Sequence, residues 1–159
     1  MVTQRIELPG GGAFTAVWSE RGLWRLLFPE TATGPEVRSG GDVPSAWREA
    51  LANLFAAYFS GMAVDFGGVP VDFAGYTPFQ EQVLRFVRGI PYGKVTTYGE
   101  VAEGIGRPGA ARAAGQVLRR NRTPLVIPCH RVVGRRCPGG FSAGLSWKER
   151  LLRLERILP

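Results

Sequence analysis

A thiol, an imidazole and a guanidinium follow one another at Cys129, His130 and Arg131. They end an apolar run that starts at Pro124 and also contains Pro128. Because proline fixes the backbone angle φ and removes a hydrogen-bond donor, the run predicts a rigid bend at the end of a buried strand, with Cys129 on the bend. A free thiol has a pKa of about 8.5, and neighbouring cations or a base lower it. The pattern therefore favours Cys129 as a nucleophile activated by His130 and Arg131.

His130 is the single histidine of the chain, which makes it the natural acceptor for the thiol proton. Adjacent residues in an extended chain point to opposite sides, so the side chains of Cys129 and His130 need not touch. A bridging water can then carry the proton between them.

A carboxylate on the last predicted helix is a third candidate. Ser146 and Glu149 have the spacing of a capping box that would open this helix. Its inward stripe is predicted to contain Trp147, Leu151, Leu154 and Leu158. Glu155 falls on the same stripe, where an unpaired charge is costly, so it needs a buried partner. From periodicity alone, two pairings remain open: with His130, as in other activated cysteines, or with an arginine or backbone amides.

The second cysteine has a weaker case. Cys137 lies in the loop 134–140 with cations beside it but no apparent base, and we interpret it as incidental. The lack of an export signal argues against a disulfide with Cys129. Two cysteines and one histidine cannot supply the four ligands of a structural zinc site. We expect neither a metal nor another cofactor.

The first part of the chain is predicted to form strands covered by a helix. Short β-rich runs separated by turns predict an antiparallel meander of Thr3–Leu8, Ala13–Ser19 and Leu23–Phe28. After a loop rich in Gly, Pro and Thr, helical spacing predicts a helix over Ser45–Phe59 with Trp47, Leu51, Leu54, Phe55 and Tyr58 inward. The irregular stretch that follows places a boundary near Gly75, between an N-terminal α/β lobe at 1–75 and a C-terminal lobe at 76–159.

From residue 77 onward the pattern is helical. The segment Thr77–Arg88 has a Thr-Pro start and a predicted apolar face of Phe79, Val83, Phe86 and Val87. Thr97 and Glu100 form a capping box for a short helix that ends around Gly104–Gly106, and a turn leads into a second helix over 110–120. This pair is typical of a helix-turn-helix, although a plain helical hairpin fits the spacing equally well. The predicted fold class is α+β, with an RNase H-like N-terminal lobe and a helical C-terminal lobe.

The second helix of this pair has two contrasting faces. Its inward stripe is predicted to be Ala110, Ala113, Ala114, Val117 and Leu118, and the opposite face carries Arg112, Gly115, Gln116 and Arg119. Small residues at Ala111 and Gly115 allow close approach of a partner, and arginine and glutamine contact phosphates and base edges. A solvated arginine face is the alternative. Gly115 favours DNA, because glycine costs about 1 kcal/mol of helix propensity that a merely solubilising face has no reason to lose.

The composition is that of an ordinary globular chain. Its 159 residues are 45% hydrophobic and 21% charged, and the formal net charge is +7. This excess of positive charge suits a polyanionic partner. No apolar stretch approaches the ~20 residues of a membrane helix, and the first residues lack an apolar secretory core. We expect no membrane association and a cytoplasmic location.

Several ordered motifs together resemble the O6-alkylguanine-DNA alkyltransferases, also called methylated-DNA–protein-cysteine methyltransferases. The Pro-Cys-His-Arg-Val-Val run at 128–133 is the signature of that family. Over residues 77–159 the resemblance also includes 90–93, Thr97, Tyr98, 111–113, Asn121 and 151–155. It is much looser over 1–75, where only the order of strands and helix matches. Agreement of several motifs in order is far more specific than a single short motif.

The resemblance implies a role for each matching residue. Cys129 would accept the alkyl group, His130 would act as a base through water, and Glu155 would orient His130. Asn121 would hold the turn between the recognition helix and the active site. Tyr98 would help to rotate the nucleotide and donate a hydrogen bond to N3 of the base.

Further residues would bind DNA and the damaged base. Arg112 would enter the space left by the extruded guanine, on a helix whose other DNA-facing residues are Ala111, Gly115, Gln116 and Arg119. The base pocket would be lined by Val132, Phe141, Ser142, Ala143 and Gly144. Ala143 stands where some relatives have glycine, which would narrow tolerance for large groups such as benzyl.

The implied activity is DNA repair. The protein would transfer alkyl groups from O6-alkylguanine, and from O4-alkylthymine, in double-stranded DNA to its own cysteine, after flipping the nucleotide from the minor groove. The transfer would be irreversible and stoichiometric, by a monomer able to assemble cooperatively on DNA. Three rival classes are a lesion sensor without the cysteine, a cysteine hydrolase that turns over, and a helix-turn-helix regulator. The presence of Cys129 distinguishes this chain from the first.

Overall fold

A computed structural model describes residues 1–31 and 41–159. The chain divides into two compact units, Met1–Phe73 and Ala74–Pro159, close to the boundary expected near Gly75. The loop predicted before the first helix lies largely outside the described residues. Among the helices that the structure describes, none combines the length and the apolar character needed to cross a bilayer.

The N-terminal unit contains the predicted antiparallel meander. Three strands pair in the order β1-β2-β3, with β1 at Val2–Glu7, β2 at Ala13–Ser19 and β3 at Gly22–Leu27. Ile6 lies opposite Phe14 in the first pair. A 3₁₀ turn at Pro29–Thr31 follows the sheet. The strands depart from the predicted ranges by one residue at the ends of β1 and β3, a difference typical of strand boundaries.

The helix α1 has the predicted bounds, Ser45–Phe59, and it buries Leu51, Phe55 and Tyr58. Its aromatic residues meet those of the sheet. The ring of Phe14 on β2 lies 5.0 Å from that of Phe55 in an edge-on arrangement. Such pairs add to the free energy gained by burying the rings. Aromatic side chains of β2 and α1 therefore meet in the core of this unit.

The C-terminal unit consists of four helices and one short pair of strands. In chain order these elements are α2 at Pro78–Arg88, β4 at Thr96–Thr97, α3 at Tyr98–Gly104, α4 at Ala111–Arg119, a 3₁₀ turn at Cys129–Arg131, β5 at Val132–Val133 and α5 at Leu145–Leu154. The strands β4 and β5 pair in parallel, with Thr96 opposite Val132. The sequence analysis missed this pair, because two-residue strands have no periodicity to detect.

The helix ends confirm one predicted cap and contradict another. The side chain of Thr97 accepts from the Glu100 amide, and Glu100 accepts from the Thr97 amide, so the predicted capping box is present. The box predicted at Ser146 and Glu149 is wrong. The helix α5 begins earlier, at Leu145, after Gly144 with φ of +100°. Ser146 therefore lies inside the first turn, where its side chain cannot act as the N-cap.

On the helices α2, α4 and α5, the buried residues differ in a few positions from the predicted inward faces. On α2 the buried residues include Leu84, whereas Phe86 is 37% exposed. The Phe86 ring instead covers Gly104, where an added Cβ would lie 2.2 Å from the ring. On α4, Ala113 is exposed and the buried residues are Ala114, Val117 and Leu118. On α5 and beyond it, Leu154 and Leu158 are half-buried, and Leu152 is buried in addition to Trp147 and Leu151.

Candidate active site

Cys129 begins a 3₁₀ turn, so the prediction that it ends a buried strand is wrong. The residues before it are buried but fold back on themselves. Pro124 and Ile127 form an isolated bridge, and Leu125 has φ of +76°. Because a proline cannot donate to a strand ladder, an apolar run bounded by two prolines forms turns here.

Asn121 holds this turn in place from within the core. Its side-chain Nδ2 donates to the carbonyl of Ile127 at 3.0 Å, and its Oδ1 accepts from the amide of Thr123 at 3.0 Å. The side chain satisfies both ends of the turn, and Asn121 is only 5% exposed. A buried amide bonded on both sides specifies one backbone conformation for the segment that leads to Cys129.

Glu155 pairs with both partners that the sequence left open. Its Oε2 lies 3.2 Å from Nε2 of His130, and its Oε1 accepts from Nε of Arg131 at 3.0 Å. A second guanidinium nitrogen of Arg131 also bonds the carboxylate, and a third donates to the carbonyl of Ile90 at 2.7 Å. The side chains of His130 and Glu155 are fully buried. The histidine and the arginine therefore share one buried carboxylate.

The electrostatics of this cluster define the state of the imidazole. Burial raises the pKa of Glu155, but hydrogen bonds and charges of His130 and Arg131 outweigh it and lower the pKa overall. Burial lowers the pKa of His130, despite the nearby carboxylate. An ionised carboxylate only accepts, so the neutral imidazole donates from Nε2. Its Nδ1 has no hydrogen-bond partner among the described residues and carries the basic lone pair.

The resting Cys129 is a thiol and not a thiolate. Burial raises its pKa to about 11, against a hydrogen bond from Asn121 and the positive charge of Lys148. The predicted lowering by His130 and Arg131 is therefore wrong for the resting site. The reason is that His130 is neutral and the guanidinium of Arg131 is bound to Glu155. Because its pKa is raised, Cys129 needs a base to take up its proton when it reacts at neutral pH.

Cys129 lines a pocket of about 380 Å³, within the range of roughly 300–1,000 Å³ typical of ligand sites. The other predicted residues on its wall are Tyr98, Ala111, Arg112, Gly115, Gln116, Arg119, Phe141 and Ser142. Three residues that the sequence analysis missed, Leu118, Gly139 and Gly140, complete the wall. The pocket lining does not include Val132, Ala143 or Gly144, which were predicted to line it.

The helix-turn-helix forms one side of this pocket. Arg112, Gln116 and Arg119 on α4 are exposed, and Ala111 and Gly115 are half-buried. This cationic face and the thiol of Cys129 thus open to the same space. A polyanion held on α4 would bring its substituents to the pocket.

Tyr98 stands between α4 and the loop that precedes α5. An added Cβ at Gly115 would lie 3.6 Å from two ring atoms of Tyr98, and one at Gly139 would lie 2.3 Å from its hydroxyl oxygen. Gly139 also has φ of +75°, which side-chain-bearing residues rarely adopt. Burial raises the pKa of Tyr98, so its hydroxyl remains protonated at neutral pH and can donate a hydrogen bond into the pocket.

Lys148 is a charged residue of this region that the sequence analysis missed. It is fully buried on α5, and its Nζ donates to the carbonyl of Val132 at 2.7 Å and to that of Gly140 at 3.2 Å. Burial lowers its pKa to about 8. Its spacing from Leu151 and Leu152 would have placed it on the inward face, and a lysine at such a position is unusual enough to have been detected.

Fold and site together define a class of protein: an α+β chain in which a helix-turn-helix adjoins a pocket that is lined by a cysteine thiol. Residues 78–157 match the family described as "6-O-methylguanine DNA methyltransferase, DNA binding domain". The methylated-DNA–protein-cysteine methyltransferase of Mycolicibacterium paratuberculosis is 44% identical over 148 residues, which cover 91% of this chain and 87% of that protein. That of Methanosarcina acetivorans is 42% identical over 122 residues, 72% of this chain and 76% of the relative.

Solved structures agree with these relatives. Mycobacterium tuberculosis O6-methylguanine methyltransferase superimposes with a TM-score of 0.80 at 34% identity, covering 99% of this chain and 94% of that one. Mycobacterium tuberculosis OGT in complex with DNA gives a TM-score of 0.78 at 33% identity, covering 98% and 92%. The chain belongs to the methylated-DNA–protein-cysteine methyltransferase family, a family of DNA repair enzymes.

Proposed function

We propose that this protein repairs O6-alkylguanine in duplex DNA by moving the alkyl group to Sγ of Cys129, once per molecule. The observation that carries the proposal is the shared pocket. A thiol, a tyrosine hydroxyl and the cationic face of α4 line one space of ligand size. Membership of the family supports the same chemistry.

The DNA would lie on α4, with its minor groove toward the helix. Arg112 is exposed at the mouth of the pocket, at a place where it could fill the gap left by an extruded nucleotide. An alkylated O6 is inaccessible inside the base stack, so the nucleotide must be flipped, at a cost of a few kcal/mol. A relative of this chain has been solved in complex with DNA, which supports DNA as the partner.

The cluster around Glu155 would then generate the nucleophile. Nδ1 of His130 is free to accept the thiol proton, directly or through water, while Nε2 donates to the carboxylate. Glu155 stays ionised and stabilises the imidazolium that forms, as the carboxylate does in other nucleophile–histidine–acid sites. Arg131 holds the carboxylate from its other side.

The transfer itself is a displacement at the alkyl carbon. The S–C bond forms as the C–O6 bond breaks, and the bonding pair of the C–O6 bond remains on guanine. Tyr98 would supply a proton to N3 of the leaving base and regain one from His130 through solvent, so the thiol proton ends on the repaired guanine. The resulting thioether has no hydrolysable bond, and each molecule therefore acts once.

The substrate range follows from the loop before α5. Small alkyl groups, above all methyl, would fit best, and O4-alkylthymine would be a second substrate. We further propose a monomer in solution that assembles cooperatively on DNA.

Incubation with a duplex containing a single O6-methylguanine, followed by intact mass spectrometry, tests the proposal. We expect the gain of one methyl group per protein, mapped to Cys129 by peptide analysis. Cys129→Ser should gain none, and Cys137→Ser is the matched control that should gain one. Repeated product release from one molecule, or a methyl group found on Cys137, would contradict the proposal.

A further inference from the structure

The hydroxyl of Tyr76 bonds the main chain on both sides of Asn121. It accepts from the amide of Arg122 at 2.9 Å and donates to the carbonyl of Arg120 at 3.2 Å. A tyrosine hydroxyl has one hydrogen to donate and lone pairs with which to accept, so the two bonds can form together. Asn121 is thereby held between two anchored peptide groups, by a side chain from a distant part of the chain.

The position of Tyr76 is itself fixed from two directions. It directly precedes Thr77, the N-cap of α2, whose side chain forms a capping box with that of Gln80. The guanidinium carbon of Arg122 lies 4.1 Å from the centroid of the Tyr76 ring, a separation within the range of cation–π contacts. Backbone and ring are thus both held, and the hydroxyl meets its two partners from a defined place.

Hydrogen bonds continue from Asn121 to the cysteine. Nδ2 of Asn121 and the amide of Cys129 both donate to the carbonyl of Ile127, at 3.0 Å and 2.8 Å. The amide of Ile127 donates to the carbonyl of Thr123, whose own amide is bound to the Asn121 side chain. All of these are hydrogen bonds of ordinary length. An unbroken set of contacts therefore joins Tyr76 to the main chain of Cys129.

We propose that Tyr76 is a positioning residue for Cys129, acting through Asn121 on the turn that carries the thiol. The proposal rests on the proposed function of Cys129 as the alkyl acceptor. Tyr76 lies outside the lining of the pocket, so the effect is indirect. Because misplacing a reacting group by about 1 Å can cost on the order of 100-fold in rate, a loosened turn would slow the transfer step.

Amide hydrogen exchange measured by NMR tests the positioning without DNA. Four amides depend on the hydroxyl, directly or through Asn121: those of Arg122, Thr123, Ile127 and Cys129. Tyr76→Phe removes the hydroxyl but keeps the ring, and exchange of these amides should become roughly 3- to 10-fold faster, as for the loss of a hydrogen bond. Amides in the middle of α5 should not change, whereas a general loss of stability would accelerate them as well.

The chain offers a matched control in Tyr58, which is fully buried in the N-terminal unit. Tyr58→Phe also removes one hydroxyl, and it should not favour exchange of the four amides over that of the α5 amides.

Methyl transfer to Cys129 tests the consequence for the reaction. Single-turnover rates are measured against the concentration of a duplex with one O6-methylguanine. Tyr76→Phe should lower the rate at saturation roughly 3- to 10-fold and leave the half-saturating concentration unchanged, because the DNA-facing side chains of α4 are intact. In an Asn121→Ala background, Tyr76→Phe should have little further effect, since both substitutions act on the same contacts.

Several results would overturn the proposal. These are unchanged exchange of the Cys129 amide in folded Tyr76→Phe, equal acceleration in the turn and in α5, and a change confined to the half-saturating concentration. Fully multiplicative effects of Tyr76→Phe and Asn121→Ala on the rate would also overturn it. If Asn121→Ala does not fold, the exchange pattern of Tyr76→Phe decides. Absence of methyl transfer in the unsubstituted protein, with the expected exchange pattern, would refute the proposed function alone.

Discussion

Nε2 of His130 lies 3.2 Å from Oε2 of Glu155, in a place where both side chains are fully buried. The two residues are 25 positions apart, on the 3₁₀ turn and at the end of α5. The contact orients the imidazole so that its basic nitrogen is free for a proton. The same carboxylate neutralises Arg131, so this one side chain would serve both the proposed chemistry and the stability of the C-terminal unit.

Glu155→Gln should therefore cost both stability and activity. Removal of the carboxylate charge leaves the buried guanidinium of Arg131 unpaired, and such losses amount to about 3–5 kcal/mol of unfolding free energy. Urea denaturation measures this. The control is Glu149→Gln, which breaks an exposed pair with Arg153 at 3.6 Å and should cost less than about 1 kcal/mol. Equal effects of the two substitutions would mean that the buried pair contributes little.

Stability should fall as the pH decreases from 7 to 5. Burial lowers the pKa of His130, so the unfolded chain binds a proton below about pH 6.5 while the folded protein does not. The folded state is favoured above that pH, and the loss approaches at most about 1.4 kcal/mol per pH unit. Glu155, with its lowered pKa, adds a further loss below about pH 4.3. Urea midpoints at several pH values, with the NMR titration of the single imidazole, check this. An imidazole that titrates at or above 6.5 would contradict it.

The two cysteines should differ strongly in reactivity. Cys137 is an exposed free thiol, whereas Cys129 is buried and burial raises its pKa to about 11. At pH 7, a limiting amount of iodoacetamide should label Cys137 first, and peptide mapping should detect Cys129 adducts only later. Cys137→Ser should leave one slowly reacting thiol. Faster labelling of Cys129 would show that its thiolate is already formed at rest.

Arg112→Ala should slow methyl transfer from duplex DNA by roughly 10- to 100-fold. The variant lacks the side chain that would fill the gap left in the base stack by the extruded nucleotide, so flipping becomes less favourable. The reaction of Cys129 with iodoacetamide should not change. Arg85→Ala removes an exposed arginine from α2 and serves as the control, with little expected change in either rate. An equal loss of both reactions in Arg112→Ala would assign Arg112 a structural role.

Gly139→Ala should impair transfer by displacing Tyr98. The new Cβ would lie 2.3 Å from the tyrosine hydroxyl oxygen, so the ring or the loop must shift. Gly61→Ala is matched for backbone strain, since Gly61 also has positive φ but has nothing within 4 Å of the added atom. Both variants should lose about 1–2 kcal/mol of unfolding free energy from that strain. Single-turnover methyl transfer should be slowed only in Gly139→Ala, and normal transfer by this variant would exclude the proposed part of Tyr98.

Much of the fold could be predicted from local patterns. The bounds of α1 and the capping box at Thr97 were both recognisable, because helix periodicity and capping depend on residues close in sequence. The residues around Cys129 were harder. An apolar run between prolines suggested a strand, but the chain forms turns held by Asn121. The conformation of such a segment depends on its tertiary contacts, which the spacing of apolar residues in the sequence does not reveal.

The sequence by itself determined the family, and it predicted Cys129 as the nucleophile and His130 as its base, since all three depend on ordered motifs. Tertiary structure decided the state in which they rest. Burial keeps Cys129 protonated, Glu155 pairs with both His130 and Arg131, and Lys148 is buried with its ammonium on the carbonyls of Val132 and Gly140. The physical reason is that a pKa depends on desolvation and on charges brought together from distant parts of the chain, and neither can be read from neighbouring residues.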